Sequence, residues 1–328
     1  MSFWSQSPGP HWSDSIWLCS TGAAFPQPIR RQKLEKPSVG KCFQADETQA
    51  ETIAEFLHEH FQITEKSKCC LTAERIVEGI NNGWTVVLKL DSLNSIIGTI
   101  ISRPLGTCIF HTGKGTTARG PPTAFIDFFC VHPDYRKSGV GSELLLWVDY
   151  YTNQKGIFIH FFQKELSPLF SLPPLWQGKY IVREVATTSK NSHIQRVSIK
   201  GFTHGFLPQF AITCVPTLKT NKDSQLFFYD CGNFKLYVAT TNTYHQFGGS
   251  PIGEVLFYKV ESNEVILEKN IAASIEEILD SSSYSYILMD KSIPHLKIYP
   301  WKDDAPYYYY CYNVNPRHFW KVRPYFWF

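Results

Sequence analysis

The chain has 328 residues, 43% of them hydrophobic and 19% charged, enough apolar matter for two ordinary domains or one large α/β unit and too much for a disordered chain. Net charge is +3 with a sequence pI near 8.3. That argues against a dedicated nucleic-acid binder, whose domains sit above a pI of about 9 with clustered basic residues, and leaves room for a local site that takes a small polyanion. Nine cysteines lie without CxxC spacing, and Cys69 and Cys70 are adjacent. With no signal-peptide pattern at the start and no apolar run near the ~18 residues that span a bilayer, free thiols in a soluble, cytoplasmic monomer are expected.

In chain order, residues 1–40 read as an arm rich in Pro, Ser and Gly with a basic patch, "RRQKLEK". "DETQAETIAEFLHEHF" predicts a helix capped by Asp46, with Ile53, Phe56, Leu57 and Phe61 on its apolar face. "LTAERIVEGI" predicts a second helix that begins at Thr72 and stops before Gly83. "WTVVLKL" and "SIIGTIIS" flank "DSLN" as a β-hairpin. "CIFHTGKGTTARGPP" reads as a turn-rich excursion; its "TGKGTT" lacks the spacing of a P-loop and is expected at a solvated hairpin tip. The strand "TAFIDFFCV", the helix "GSELLLWVDYYTNQ" and the strand "GIFIHFF" follow, giving the order α, α, β, β, β, α, β. Beyond residue 190, strands are expected at "LFFYDC", "KLYVATT", "EVLFYKV", "YILMD" and "YYYYCYNV", with one helix at "SIEEILD". The whole reads as two α+β units joined around residues 185–200.

Between the strand ending at Val131 and the helix beginning near Gly141 lies "RKSGVGS", residues 136–142. A loop of this kind lets successive backbone N–H groups converge on an anion, helped by the positive end of the helix and by Arg136 and Lys137. Gly139 and Gly141 permit close backbone approach. A dinucleotide fold does not suit the region, because two helices and a hairpin come before the loop and the G-x-G-x-x-G spacing is missing.

In this order of elements the region resembles the acyl-CoA-binding core of the GNAT acyltransferase superfamily, whose corresponding loop takes the pyrophosphate of coenzyme A. Within it, "DFFCVH" (Asp127 to His132) resembles the N-F-L-C-V-H strand of the N-myristoyltransferase family. "SFWSQSP" is similar to that family's early F-W motif, and "YYYYCYN" to its tyrosine-rich late strand. The family's Asn is Asp127 here, and its R-S-K-R-x-A-P loop is replaced by "RKSGVGS".

The resemblance implies an α/β (α+β) fold of two GNAT-like halves in tandem: an arm over 1–40, an acyl-CoA-binding half over 41–190 and a substrate-side half over 191–328. It implies acyl-CoA as co-substrate, with no permanently bound cofactor or metal, and a peptide or protein N-terminus or a small amine as acceptor. By the same resemblance, the amides of Phe128 and Phe129 form the oxyanion hole, and Cys130 and Val131 line the pantetheine path. Arg136, Lys137, Ser138, Gly139, Val140, Gly141 and Ser142 hold the pyrophosphate, and Ser2, Phe3 and Trp4 join the acyl-CoA site. The family's base is the chain's own terminal carboxylate, here that of Phe328, and Asp127 is the second candidate. Direct transfer requires no covalent nucleophile, so none is expected at Cys130, and His132 reads as a strand-end residue. The activity implied is transfer of a myristoyl group to an N-terminal glycine. An N-acetyltransferase and an inactive acyl-CoA-binding relative are the alternatives.

Overall fold

The computed structural model describes residues 32–64, 66–111, 117–169, 174, 176–185, 193–197, 212–215, 223–291, 302–312 and 325–326. Ser2, Phe3, Trp4, Phe328 and the expected tip at 112–116 lie outside the described residues. β1 (Cys42–Gln44) leads to Asp46, which accepts from the Thr48 amide while the Gln49 side chain accepts from Asp46 N–H. This capping box starts a 3-10 turn that runs into α1 (Ala50–His60), whose Ile53, Phe56 and Leu57 are buried as their spacing requires. Short strands β2 (Gln62–Thr64) and β3 (Ser67–Cys69) follow. Thr72 then caps α2 (Ala73–Asn81), accepting from the Arg75 amide.

β4 (Thr85–Leu90) and β5 (Ile96–His111) form the expected hairpin, and β6 (Thr117–Val131) returns beside β5. Here the structure corrects the sequence reading. Both sides of the supposed excursion are strand, because register shifts at Pro104/Gly106 and Thr107/Ile109 absorb the prolines and glycines without ending the ladder. α3 (Val140–Gln154) then crosses to β7 (Ile159–Glu165), which runs parallel to β6.

The second part comprises β8 (Trp176–Glu184), β9 (Ile194–Val197), β10 (Ile212–Val215), β11 (Ser224–Asp230), β12 (Lys235–Phe247), β13 (Ser250–Glu261), α4 (Glu268–Asp280), β14 (Tyr286–Asp290), β15 (Lys302–Tyr312) and β16 (Tyr325–Phe326). All strands join one 16-stranded sheet whose main path runs β1-β4-β5-β6-β7-β15-β8-β14-β13-β12-β11-β9. Two copies of one unit are visible in it. β4-β5-β6-α3-β7 and β11-β12-β13-α4-β14 each contain three antiparallel strands, then a helix, then a parallel strand. The helix is what a parallel return requires. The units also exchange strands: β8 follows the first but pairs with β14, β15 follows the second but pairs with β7, and β8 and β15 pair with each other.

Alternation along the strands sets the layers. Val86, Leu88 and Ile101 face α1 and α2, whereas Val87 and Ile100 face α3. Gly98 lets α3 pack closely: a Cβ there would stand 2.8 Å from Leu144 Cδ1 and 3.0 Å from Val140 Cγ1. In the second unit α4 buries Ile271, Ala272, Ile275, Ile278 and Leu279 against Leu236, Val238, Ile287 and Met289. No described helix is long and apolar enough to cross a membrane.

Candidate functional site

The parallel ladder between β6 and β7 joins Thr123 to Ile159 and ends at Ile126 and Phe162, although β6 runs on to Val131 and β7 to Glu165. The two strands therefore part, and a wedge opens between them. Phe162, Tyr308 and Tyr310 form a small aromatic cluster against Ile126 where they diverge, with the Phe162 and Tyr310 rings stacked at 5.0 Å. At the same point the register of β6 against β5 slips. Cys130 faces Thr99 and Asp127 faces Ile101, so Phe128 and Phe129 together oppose Ile100. Phe128 takes a left-handed φ of 47°, uncommon for a bulky residue. The strand is thus broken by a β-bulge at Phe128 and Phe129. Its two side chains diverge: the Phe128 ring is buried against Phe61 and Tyr244, whereas Phe129 is 39% exposed.

The loop lies directly beyond. After a 3-10 turn over Pro133–Tyr135, Arg136 donates from Nε to the Val131 carbonyl at 3.1 Å, and Ser138 Oγ donates to the Tyr135 carbonyl. Lys137 and Gly139 both have positive φ, 65° and 97°. The reversal they make turns the chain into α3, whose N-cap, Gly139, has no side-chain cap and whose first helical bond runs from Glu143 N–H to the Gly139 carbonyl. The amides of Val140, Gly141 and Ser142 precede that bond at the positive end of a 15-residue helix. Arg136, Lys137, Ser138 and Gly139 are exposed around them. Glu143, the acidic residue of this turn, is paired with Lys89 at 2.6 Å, which limits its opposition to an anion. Loop and bulge touch: a Cβ on Gly141 would lie 3.1 Å from Phe129 Cζ, so glycine makes room for that ring.

On the other side of the bulge lies a charged cluster that the sequence reading missed. The Phe128 amide donates to Asp127 Oδ1 at 2.9 Å, and Asp127 Oδ2 accepts from Arg103 at 2.9 Å. Arg103, 4% exposed, reaches Asp223 Oδ2 at 2.6 Å, and Asp223, 2% exposed, also accepts from Arg75 through Nε at 2.9 Å and NH2 at 2.8 Å and from the Tyr244 hydroxyl. Trp84 lies under both guanidinium groups. Burial pushes the Asp223 carboxyl upward, but Arg103 and Arg75, with the hydrogen bonds, more than offset this and hold it below its usual 3.8. The available signal was Arg103 itself, a charge inside an apolar strand that must find a partner when buried. It was obscured by ending that strand at Ser102.

Two histidines, also missed, stand nearby. His245 packs against Phe61 with ring centres 5.4 Å apart, and its Nδ1 is buried without a hydrogen-bond partner among the described residues. Burial lowers its pKa, which the Asp127 charge partly counters. His60 packs edge-on against His132 at 4.5 Å beside the loop. Burial also pushes the Cys130 thiol up to about 12, against the pull of Arg136, so it stays protonated and is no nucleophile.

The structure thus brings together Phe128, Phe129, Cys130, Val131 and residues 136–142 at one mouth of the wedge. A bulged strand, a diverging parallel neighbour and a glycine-bearing loop at a helix start are the arrangement expected of a GNAT-like core. Residues 47–164 match the family model described as Acetyltransferase (GNAT) family. Likeness of fold extends beyond that domain, over nearly the whole chain. A crystal structure of the Saccharomyces cerevisiae N-myristoyltransferase with bound myristoyl-CoA matches at a TM-score of 0.65, over 96% of this chain and 93% of that one, at 13% identity. A second structure of the yeast enzyme with bound myristoyl-CoA matches at 0.66, over 95% and 87%, at 11% identity. No curated protein matches by sequence. The fold and the matched domain are those of acyl-CoA-dependent acyltransferases.

Proposed function

We propose that the protein transfers an acyl group from acyl-CoA to an amine, with a tetradecanoyl chain as donor group and the glycine at a peptide N-terminus as acceptor. The observation that carries the reading is the Phe128–Phe129 bulge, set at the mouth of the β6/β7 wedge and in contact with the loop that opens α3. In the reaction the acceptor nitrogen attacks the thioester carbon, the C–N bond forms, and the C–S bond breaks with departure of the coenzyme A thiolate. Residues 136–142 hold the pyrophosphate, while Cys130 and Val131 line the pantetheine path. Because the Phe128 amide already has Asp127 Oδ1 as acceptor, the Phe129 amide carries most of the oxyanion; one such donor is worth about 3–4 kcal/mol.

Ser2, Phe3 and Trp4, on the arm over 1–40, complete the acyl-CoA site in this reading. The half over 41–190 binds the donor, and the half over 191–328 receives the acceptor. The Phe328 carboxylate takes the amine proton. Supporting that role, β16 ends two residues before Phe328, joins the sheet through β10, and also approaches β13 of the second unit. Asp127 suits the role of base less well, since both of its oxygens already accept. The reading places a monomer in the cytoplasm.

Donor length is the first test. Twelve further methylenes offer up to roughly 10 kcal/mol at ~0.8 kcal/mol each when buried. The aromatic cluster around Phe162 and Tyr310 suits such a chain. Titrating the protein with acetyl-CoA and myristoyl-CoA, together with turnover on a peptide beginning with glycine, is expected to favour the long chain by orders of magnitude. Equal affinity for both would move the reading to an N-acetyltransferase, and binding without turnover to an inactive relative. Appending residues after Phe328 is expected to abolish turnover while leaving acyl-CoA binding intact, because a base must lie within ~2.6–3.2 Å of its proton, directly or through one water.

A further inference from the structure

A chain of charge-assisted hydrogen bonds connects the second unit to the bulge. Asp223, immediately before β11, accepts from Arg103 of β5, and Arg103 reaches across to Asp127 of β6, which accepts the Phe128 amide. The link is buried and over-determined at its far end: Arg75 forks onto both Asp223 oxygens, and Tyr244 donates to the same carboxylate. Tyr244 is itself a bulge residue, with φ 57° and its amide on Asn242 Oδ1, so a second strand break faces the first, and the rings of Phe128 and Tyr244 meet edge-on at 5.9 Å. A left-handed φ at a bulky residue persists only where the surroundings enforce it.

We propose that Asp223 and Arg103 are positioning residues: acting through Asp127, which holds the Phe128 amide, they fix the Phe128–Phe129 bulge in the geometry that aims the Phe129 amide at the developing oxyanion. The inference rests on the acyl-transfer reading of the bulge. A single arginine spanning two carboxylates does what a lysine cannot, because the fork presents NH1 to Asp127 and NH2 to Asp223 in one rigid plane. Two guanidinium groups stand among three carboxylates, those of Asp223, Asp127 and Glu78, the last 3.6 Å from Arg75. The position of the second unit is thereby conveyed to the backbone of the first without any side chain from the second entering the wedge through this link.

The test uses the full chain carrying Arg103→Lys, Asp223→Asn or Asp127→Asn, and the pairs Arg103→Lys/Asp127→Asn and Asp223→Asn/Asp127→Asn. Three quantities are read: kcat, the dissociation constant of myristoyl-CoA, and deuterium uptake by the peptide covering 125–131. Each single change is expected to lower kcat by about tenfold or more, since small misplacements are costly in rate, while myristoyl-CoA affinity stays within about twofold. Uptake at 127–129 is expected to rise. In each pair the loss should equal that of Asp127→Asn alone, because the upstream residues act only through it. Fully additive losses, or unchanged uptake at 127–129 in Arg103→Lys, would overturn the proposal. Breaking a buried pair destabilises, so folding of Asp223→Asn is checked first by its melting transition. Where Asp223→Asn fails to fold, Asp127→Asn at the more exposed end decides alone: unchanged uptake and full kcat overturn the proposal, and faster uptake with reduced kcat supports it. Lack of turnover by the unaltered protein strikes the acyl-transfer reading instead, and deuterium uptake still reports whether the network holds the bulge.

Discussion

Substituting Gly98 with alanine tests how closely α3, and with it the anion loop, depends on one missing methyl. The new Cβ would stand 2.8 Å from Leu144 Cδ1 and 3.0 Å from Val140 Cγ1, against an optimum of about 3.5–4.0 Å for carbon pairs. Leu144 is fully buried, so its methyl has nowhere to retreat. Relief therefore requires lifting the first two turns of α3 by roughly 0.7 Å or distorting β5. Overpacking of this kind costs about 1–3 kcal/mol, or about 2–6 °C in melting temperature at ~2 °C per kcal/mol for a large domain. The amides of Val140, Gly141 and Ser142 ride on the lifted turn, so coenzyme A affinity should fall several-fold as well. Thermal denaturation followed by calorimetric titration with coenzyme A reads both effects. A Gly98→Ala protein that melts within 1 °C of the parent and binds coenzyme A equally well would refute the argument that this contact seats the loop.

Arg136→Glu should weaken coenzyme A binding by roughly tenfold or more at low salt with little change in melting temperature, because Arg136 is exposed and its Nε donates to a strand-end carbonyl, that of Val131. The difference should shrink as salt is raised, and unchanged affinity in calorimetry rejects the pyrophosphate assignment. His60 and His245 both have pKa values lowered below 6.5, chiefly by burial. Their folded-state values lie below the unfolded one, so stability is complete above about pH 6.5 and declines as pH falls through the folded values. Urea midpoints at pH 7.5 and 5.5 should show that decline, and His245→Gln should flatten it. Asp223, held below 3.8, adds a further loss of stability only as pH falls under about 4.

The first unit was legible because its signals are local. Asp46 and Thr72 announce their helices through the side-chain caps they form, and the continuous apolar run in "TVVLKL" fits a strand covered on both faces. The oxyanion hole was assigned to Phe128 and Phe129 by resemblance, and nothing in their own side chains announces the bulge that the structure shows there. What the sequence concealed is non-local. β8 was not anticipated, because "WQGKYIVRE" owes its place to β14 and β15, more than a hundred residues away. Arg103 finds Asp223 across 120 positions, a pairing that no spacing rule reports. Gly120 and Pro121 fell in the stretch read as a turn-rich excursion, although they sit at a register shift inside a continuing strand.

The exchange of β8 and β15 has a consequence during synthesis. When the ribosome has released the first unit, β7 has β6 on one side for only part of its length and an open row of backbone donors and acceptors on the other. That edge stays unpaired until residues 307–312 emerge, more than 140 residues after Glu165. β8 waits similarly for β14. A fragment cut at residue 190 would carry both exposed edges permanently and should aggregate, whereas the units co-expressed as separate chains should recover each other. The two-unit pattern of the sheet is thus a repeat in architecture but a single unit in folding.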